Sequence, residues 1–360
     1  MSESIERVAG FDVGDRRIEV CTISMDDGRV VKREKLLTER GAVEAWFAAA
    51  PRARIVMETG THAPWIARAG QAAGHELFVV DARRVKLITM SSRKTDRHDA
   101  QLLARIGRSE LELACPVRMR SQESLRVRAI MRMRDAQVRA RSMLIVVLRS
   151  VIKTDGLRLP TCGAETFARV AWEAMPEPWR PMARPIVTSI ARLTREIHRY
   201  DRELERIARE QTWAQAVAHL TQVTGVGTLT ALAVASAVES PQRFRDGRQA
   251  AAYLGLVPKK AQSGDSDPRL GISKEGDVYA RRLLVSAAHY ILERGPDTDL
   301  KRWGLALEAR WGPKTRKRAA VAVARKLAVL LWRLWVSGAP YEPLRQAEAA
   351  AKAVEEVKAA

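Results

Sequence analysis

The sequence predicts an α/β domain at the N-terminus followed by a long, mainly α-helical region. Short runs of Val, Ile and Phe alternate with helical patterns over residues 6–80. Beyond Ser109 the strand signals stop, and apolar residues recur at helical spacing. The last region has its own glycine turns between helical patterns. We therefore expect segments at residues 1–108 (α/β domain), 109–211 (helical arm), 212–345 (mainly α domain) and 346–360 (tail).

The N-terminal segment shows a β-β-β-α-β-α-β order. Turn residues such as Asp26, Asp27 and Gly28 separate the β-branched runs. This order implies a mixed sheet covered by helices, with acidic residues at strand ends. Strands are predicted at Val8–Phe11, Arg17–Ser24, Val30–Leu37, Arg54–Met57 and Leu77–Val80, and helices at Glu39–Ala50 and Ala63–Ala73.

Four acidic residues occupy positions that such a fold would bring together. Asp12 follows the first strand and Glu58 ends the fourth, so both would lie at the same end of the sheet. Asp96 and Asp99 open a predicted helix, on which residues three apart are neighbours. Clustered carboxylates repel unless a cation neutralises them, and hard oxygen ligands favour Mg²⁺ or Mn²⁺. Two such ions would orient a phosphodiester and stabilise its transition state.

Each acid alone is a weak signal. An Asp at the end of a strand is more often a turn residue, and two acids three residues apart on a helix usually lie on its solvent-exposed face or cap its end. The four acids at the right elements and in this order are a stronger signal. Asp15 and Asp81 lie near enough for a supporting or structural role.

The middle of the chain predicts a helical arm. Arg118–Arg149 alternates Arg with Met, Val, Leu and Ile, and Ile190–Arg209 repeats apolar residues at helical spacing. The Pro-rich stretch Met175–Pro185 would join these two helices as an antiparallel coiled coil. An ordinary helical bundle is the alternative.

The C-terminal region contains two features that suit nucleic-acid chemistry. Gly225 and Gly227 lie in a helix–turn–helix junction resembling a helix–hairpin–helix, in which glycines let the backbone approach phosphate. The loop over residues 258–274 places Ser263 among cations and glycines, where it could present a hydroxyl nucleophile. The alternatives are an ordinary turn between two helices for the glycine junction and a polar surface loop for the Ser263 segment. Further helices are predicted at Leu229–Ala237, Phe244–Tyr253, Asp277–Glu293 and Lys314–Val336, with a frayed helix after Ala347.

The charge balance indicates a polyanionic partner. Lys and Arg number 62 against 42 Asp and Glu, a formal net charge of +20. Nucleic acid is favoured over a membrane, because no amphipathic lipid anchor is evident. The apolar run Ala319–Trp335 is interrupted by three cations, so it predicts an amphipathic helix. The N-terminus shows no secretion signal, and Cys21, Cys115 and Cys162 form no CxxC pair, which favours the bacterial cytoplasm.

These motifs together resemble the DEDD transposases of the insertion sequence 110 family, the bridge-RNA-guided recombinases. The resemblance covers nearly the full chain. It rests on the four acids and on the strings Thr224–Gly227, Tyr253–Pro258 and Gly271–Asp277. It implies a RuvC-like (RNase H-like) domain, a coiled coil and a transposase domain, with Mg²⁺ bound by Asp12, Glu58, Asp96 and Asp99.

The resemblance also implies a serine that forms a 5′-phosphoserine link to DNA. Ser263, just before Gly264, lies where that serine is expected, but Gln262 replaces the first of the paired serines common in the family. Ser266 and Ser273 therefore remain alternatives.

The implied partners are donor and target DNA, a noncoding bridge RNA that selects both, and further copies of the chain in a dimer or tetramer. Arg269, Lys274, Arg281 and Arg282 are expected to bind phosphates. Two other functions remain open. A RuvC-like Mg²⁺-dependent nuclease or Holliday-junction resolvase would need the acids but no serine, and a nucleic-acid-binding accessory protein would need neither.

Overall fold

The computed structural model describes residues 5–81, 95–109, 111–264, 266–268, 270–312 and 315–345. It divides into two compact units, residues 1–120 and 121–360. The finer division at residue 211 stays a prediction, and the predicted C-terminal tail lies outside the described residues.

The first unit contains a five-stranded mixed sheet in the order β3-β2-β1-β4-β5. β1 pairs antiparallel with β2 and parallel with β4, and β4 pairs parallel with β5. The predicted element order is confirmed, and this topology agrees with an RNase H-like α/β domain. The strands are β1 (Arg7–Val13), β2 (Arg17–Ser24), β3 (Val30–Leu37), β4 (Arg54–Glu58) and β5 (Glu76–Val80), and the helices are α1 (Arg40–Ala49), α2 (Ala63–Ala72) and α3 (Asp96–Ser109).

Helices cover both faces of this sheet. On one face, Phe11 stacks on Phe47 of α1 with ring centroids 5.9 Å apart, and Ile66 of α2 joins the same core. On the other face, Val56 packs against Leu103 of α3. Each strand residue points to the face opposite that of its neighbour. The sheet is therefore the central layer of a three-layer unit.

The second unit begins with two long antiparallel helices, α4 (Gln122–Ile152) and α6 (Arg180–Ala208). Arg134 of α4 bonds Asp201 of α6, and Arg141, farther along α4, bonds Thr194, which lies earlier on α6. Two long helices were predicted here, and their assignment as a coiled coil stays a prediction.

The link between these helices differs from the sequence prediction. Pro185 lies inside α6, which begins five residues earlier, and the connection instead contains the short helix α5 (Phe167–Glu173). Pro185 costs α6 one interior hydrogen bond, but it lies only five residues after the helix begins, so most of the helix keeps its hydrogen bonds.

The rest of the second unit packs around α8, whose residues from Thr230 to Val238 are all buried. The predicted C-terminal helices are present, although α9 begins three residues later than Phe244. α11 was not predicted. Within the described part of the chain, no helix has both the length and the apolarity to cross a bilayer. The elements are α7 (Gln211–Leu220), α8 (Thr228–Val238), α9 (Gly247–Tyr253), α10 (Val278–Glu293), α11 (Asp299–Trp311) and α12 (Arg316–Ser337).

Candidate functional site

Asp12 and Glu58 lie side by side at one edge of the sheet. Phe11 of β1 pairs with Met57 of β4, and the two acids are the next residues on these parallel strands. Phe11 and Met57 are buried against α1 and α2, so the alternation of strand residues turns both acids towards α3. Asp81 follows directly after the neighbouring strand β5. The two carboxylates therefore share one edge and one face.

A glycine lets α3 lie directly on this face. A Cβ atom at Gly10 would lie only 2.0 Å from the backbone oxygen of Ala100. A Cβ atom at Gly107, near the other end of the helix, would lie 2.9 Å from Val8. Gly107 therefore lies over Val8 and Ala100 lies over Gly10, so α3 runs antiparallel to β1. The first turn of α3 lies towards the edge that carries Asp12.

That first turn carries the other two acids. Asp96 is exposed and Asp99 is half-buried. Thr95 caps the helix, because its Oγ1 accepts a hydrogen bond of 3.3 Å from the His98 amide. Carboxylates in a first turn are stabilised by the positive end of the helix dipole. The register of the strands and the direction of α3 thus direct both pairs of acids towards the same edge of the sheet.

The donor chemistry of this region suits a hard divalent cation, because carboxylate oxygens are the ligands that Mg²⁺ and Mn²⁺ prefer. The acids form a strand pair, Asp12 and Glu58, and a helix pair, Asp96 and Asp99. Among the described residues, no three His, Cys, Asp or Glu side chains are close enough together to hold a metal ion. The structure therefore shows the ligand types and their shared edge, but not a closed coordination shell.

Two polar neighbours at this edge were not identified from the sequence. Glu19 is the cross-strand partner of Asp12, and Lys35 neutralises it at 2.5 Å. His62 Nε2 lies 3.6 Å from Asp15 Oδ1. Strand alternation was the available signal for Glu19, because residues that pair across a hairpin point to the same face. Since a lysine already neutralises Glu19, it adds little negative charge to the Asp12 side of the sheet.

The serine-bearing segment has no regular strand among its described residues, as expected for the predicted loop, but two isolated antiparallel bridges fold it back on itself, and we call it the Ser263 hairpin. Bridges join Pro258 to Ile272 and Ser263 to Ser266. The Ser263 amide donates to the Ser266 carbonyl at 3.1 Å, and the Ser266 amide donates back at 3.0 Å. Gly264, in the turn, has a φ of +55°, which favours glycine. Ser263 is therefore an exposed residue at the tip of a hairpin, with Ser266 on the same face.

Two glycines hold the base of this hairpin. Gly255 and Gly276 both have a φ near +70°. A Cβ atom on Gly255 would lie 2.1 Å from the Glu275 oxygen, and one on Gly276 would lie 1.9 Å from the Tyr253 oxygen. No other residue fits either position without moving the backbone. The close approach fixes where the two arms of the hairpin leave the helices.

Arg281 also holds the base of the hairpin, through hydrogen bonds to backbone carbonyls. Its buried guanidinium donates to the carbonyl oxygens of Leu254 at 2.9 Å, Lys274 at 2.9 Å and Glu275 at 2.6 Å. Burial lowers the pKa of this guanidinium from its ordinary value. The sequence predicted a phosphate ligand here, but the structure directs Arg281 at backbone carbonyls. We therefore assign it to positioning of the hairpin.

The other predicted phosphate ligands differ in their surroundings. Lys274 is exposed and has a φ of +57°. Arg282 is half exposed, pairs with Asp135 and lies 4.9 Å from the ring centroid of Tyr279. Arg269 lies outside the described residues. Lys274 and Arg282 thus remain accessible to a ligand.

The two glycines of the α7–α8 junction have separate roles. Gly225 has a φ of +91° and packs against α10, where a Cβ atom would lie 3.0 Å from Ile291. Gly227 is the residue before α8, is exposed and has open space around its Cα. The N-terminus of α8 is therefore open to an approaching group, while Gly225 shapes the turn. The helix–hairpin–helix assignment stays a prediction.

Comparison with solved structures finds a partial likeness. RuvC from Thermus thermophilus in complex with a Holliday junction substrate is 15% identical, with a TM-score of 0.25. The match covers 31% of this chain and 99% of that chain. A second structure of the same RuvC gives a TM-score of 0.23.

Two family models match the chain in order. Residues 9–154 match a DEDD-type transposase model, and residues 217–301 match the model described as Transposase IS116/IS110/IS902 family. The first match contains the four acids and the second contains the hairpin with Ser263. A DEDD transposase assignment implies dependence on a divalent metal.

Curated relatives are similar over almost the whole chain. The transposase for insertion sequence element IS1111A of Coxiella burnetii is 30% identical, and the match covers 91% of this chain and 89% of that protein. A probable family 20 transposase of Pseudomonas aeruginosa is 28% identical, with 93% and 98% covered. The resemblance to transposases of the insertion sequence 110 family is confirmed, and the chain belongs to the IS116/IS110/IS902 family of transposases, enzymes that cut and join DNA.

Proposed function

We propose that this transposase is an RNA-guided recombinase that exchanges DNA strands through a covalent serine–DNA intermediate. One observation carries the proposal. The register of β1 with β4 puts Asp12 and Glu58 on neighbouring strand ends, and α3 runs with its acidic first turn towards the same edge of the sheet. The exposed Ser263 at the tip of a clamped hairpin supports it, because a nucleophile must project from a fixed base to reach phosphorus.

Asp12, Glu58, Asp96 and Asp99 would hold the metal ions and, through them, the scissile phosphate. When bound, Mg²⁺ or Mn²⁺ would neutralise the phosphate and stabilise charge in the transition state. The Ser263 Oγ attacks phosphorus, forming an O–P bond, while the bond from phosphorus to the DNA 3′ oxygen breaks. The serine proton passes to a carboxylate or water, and the departing 3′ oxygen takes up a proton.

The second step reverses the first with a different strand. A 3′ hydroxyl of the partner DNA attacks the phosphoserine, a new phosphodiester forms, and the Ser263 oxygen leaves and regains its proton. One phosphodiester replaces another through a phosphoserine of similar energy, so no nucleotide cofactor is needed. Water must be kept from the phosphoserine, since hydrolysis would leave a broken strand.

The nucleic-acid contacts are proposed from charge and exposure. Lys274, Arg282 and Arg269 would bind phosphates beside the hairpin, and the N-terminus of α8 at Gly227 would offer backbone amides beside the Gly225 turn. A bridge RNA would select the donor and target DNA, and a dimer or tetramer would hold both. The formal charge of +20 and the arginines of α4 support an extended nucleic-acid partner.

The test is the product made from two differently labelled DNA duplexes. These would be chosen by binding to the protein together with the nucleic acid that copurifies with it. We expect a joined strand carrying both labels, formed only with a divalent metal and lost on chelation. Cut ends without joining would instead establish a nuclease or resolvase. Binding without any cutting would establish an accessory protein.

A further inference from the structure

An open cavity of about 610 Å³ lies between α5 and α6, in the helical arm. Its wall combines cationic, hydroxyl and apolar side chains within one unit of the protein. None of these residues belongs to the group of four acids or to the Ser263 hairpin. The lining residues include Glu165, Arg169, Trp172, Arg184, Thr194 and Arg195.

The charge of this wall is positive. Three arginines line it against one glutamate, Glu165. Arg169 forms an ion pair with Glu173 at 3.2 Å, which contributes little to stability because both side chains are exposed. Across the part of the chain that the structure describes, Arg184 and Arg195 have no hydrogen-bond or ion-pair partner. Both are exposed, and their charges are available to an anion.

A buried arginine lies behind the wall. Arg141 of α4 is only 7% exposed, and its single hydrogen bond is a long one of 3.3 Å to Thr194, which lines the cavity. Its Nε is buried, with no partner among the described residues. A guanidinium has five N–H donors, and leaving them unsatisfied is costly. Burial lowers the pKa of Arg141, and the Glu165 carboxylate partly opposes this. The site therefore holds more buried positive charge than its own acids satisfy.

We propose that this cavity binds a phosphodiester unit of a nucleic-acid strand, at a contact separate from the catalytic centre. Arg184 and Arg195 would bind the phosphate, and the field of Arg141 would add to theirs. The cavity is larger than a phosphate needs, and Trp172 and Val187 offer apolar surface for the attached sugar or base. The shared chemistry is the phosphodiester, whether it comes from DNA or from RNA.

The test compares two double variants on the same helix. Arg184→Ala with Arg195→Ala removes the cavity charges. Arg192→Ala with Arg202→Ala removes the same charge from exposed residues outside the cavity wall. Binding of labelled single-stranded DNA and RNA of equal length is measured by fluorescence anisotropy at several salt concentrations. We expect the cavity pair to weaken binding about tenfold and to reduce the salt slope by about 1.4. An effect on one probe alone identifies that nucleic acid as the source.

Equal losses in the two double variants, or no loss in the cavity pair, would overturn the proposal. So would loss of binding to a labelled poly-glutamate peptide with nucleic-acid binding unchanged. Arg141→Met provides a second measurement, because an apolar side chain of similar length removes a poorly satisfied buried charge. We expect the melting temperature to hold or rise while affinity falls at least threefold. A lower melting temperature with unchanged affinity would show that Arg141 is purely structural.

Discussion

Asp12 and Glu58 lie beside each other because β1 and β4 are parallel neighbours in register. The first turn of α3, with Asp96 and Asp99, lies towards the same edge for another reason: Gly10 has no side chain to hold α3 away. At the scale of residues, the candidate site therefore depends on one glycine as well as on four acids. The sequence shows the acids readily, whereas the role of Gly10 is evident only from what packs on it.

Neutral isosteres of the acids should separate chemistry from folding. We expect Asp12→Asn, Glu58→Gln, Asp96→Asn and Asp99→Asn each to reduce strand exchange more than about a hundredfold. The free energy of unfolding should stay within about 1 kcal/mol or rise, because the carboxylates repel one another without metal. Exchange assays and denaturant unfolding measure the two effects. Glu44→Gln, on an exposed residue of α1, is the control. Wild-type exchange in two of the four variants would contradict the metal site.

Gly10→Ala should damage the same site without touching an acid. The added Cβ would meet the backbone oxygen of Ala100, so α3 must move away from the sheet. We expect a loss of at least about 2 kcal/mol in the free energy of unfolding, together with loss of exchange. Gly41→Ala, at a helical position with open space, should be neutral or stabilising by up to about 1 kcal/mol. Similar stability for the two variants would show that α3 does not depend on Gly10.

At the scale of elements, the sequence predicts those strands and helices whose apolar residues recur with a regular period. All five strands and the three described helices of the first unit were predicted, because each has a clear apolar alternation or a helical face. The acids could be placed for the same reason, since strand ends and a capped first turn are local features. Thr95 before Asp96 is an example of such a cap.

Three features escaped prediction because long-range packing decides them. The isolated bridges that fold the Ser263 hairpin back on itself follow no alternation in the sequence, so they depend on the clamped base. α11 contains Gly304, a residue that disfavours helix in isolation, but its missing side chain makes room for Leu292 and Val323. Pro185 suggested a break, but the packed face of α6 outweighs one lost hydrogen bond.

Arg281 and its neighbour Arg282 should respond oppositely to substitution. Arg281→Met leaves three carbonyl oxygens without their donor, so we expect a loss of about 3 kcal/mol in the free energy of unfolding. The salt slope of DNA binding should not change. Arg282→Met should cost little stability but lower that slope by about 0.9, the value for one phosphate contact. A smaller salt slope with unchanged stability in Arg281→Met would restore Arg281 as a phosphate ligand.

At the scale of the whole molecule, charge determines how the protein finds its partners. The excess of Lys and Arg over Asp and Glu favours binding any nucleic acid, and charge alone carries no sequence information. We therefore expect a structured RNA to copurify and to be required for sequence-specific DNA binding. Affinity should fall about a thousandfold or more between 50 and 200 mM salt, the range for six to ten phosphate contacts. Full site specificity from protein freed of RNA would contradict this account.

The central claim is that Ser263 becomes covalently linked to DNA, and one measurement tests it directly. Labelled DNA is mixed with the protein and divalent metal, separated by denaturing electrophoresis, and the linked peptide is identified by mass spectrometry. The account predicts a phosphoserine at Ser263, lost in Ser263→Ala although that variant still binds DNA and RNA. A link at Ser266 or Ser273 would move the nucleophile along the hairpin. If no adduct forms with actively cutting protein, the serine mechanism is contradicted and a plain metal-dependent nuclease remains.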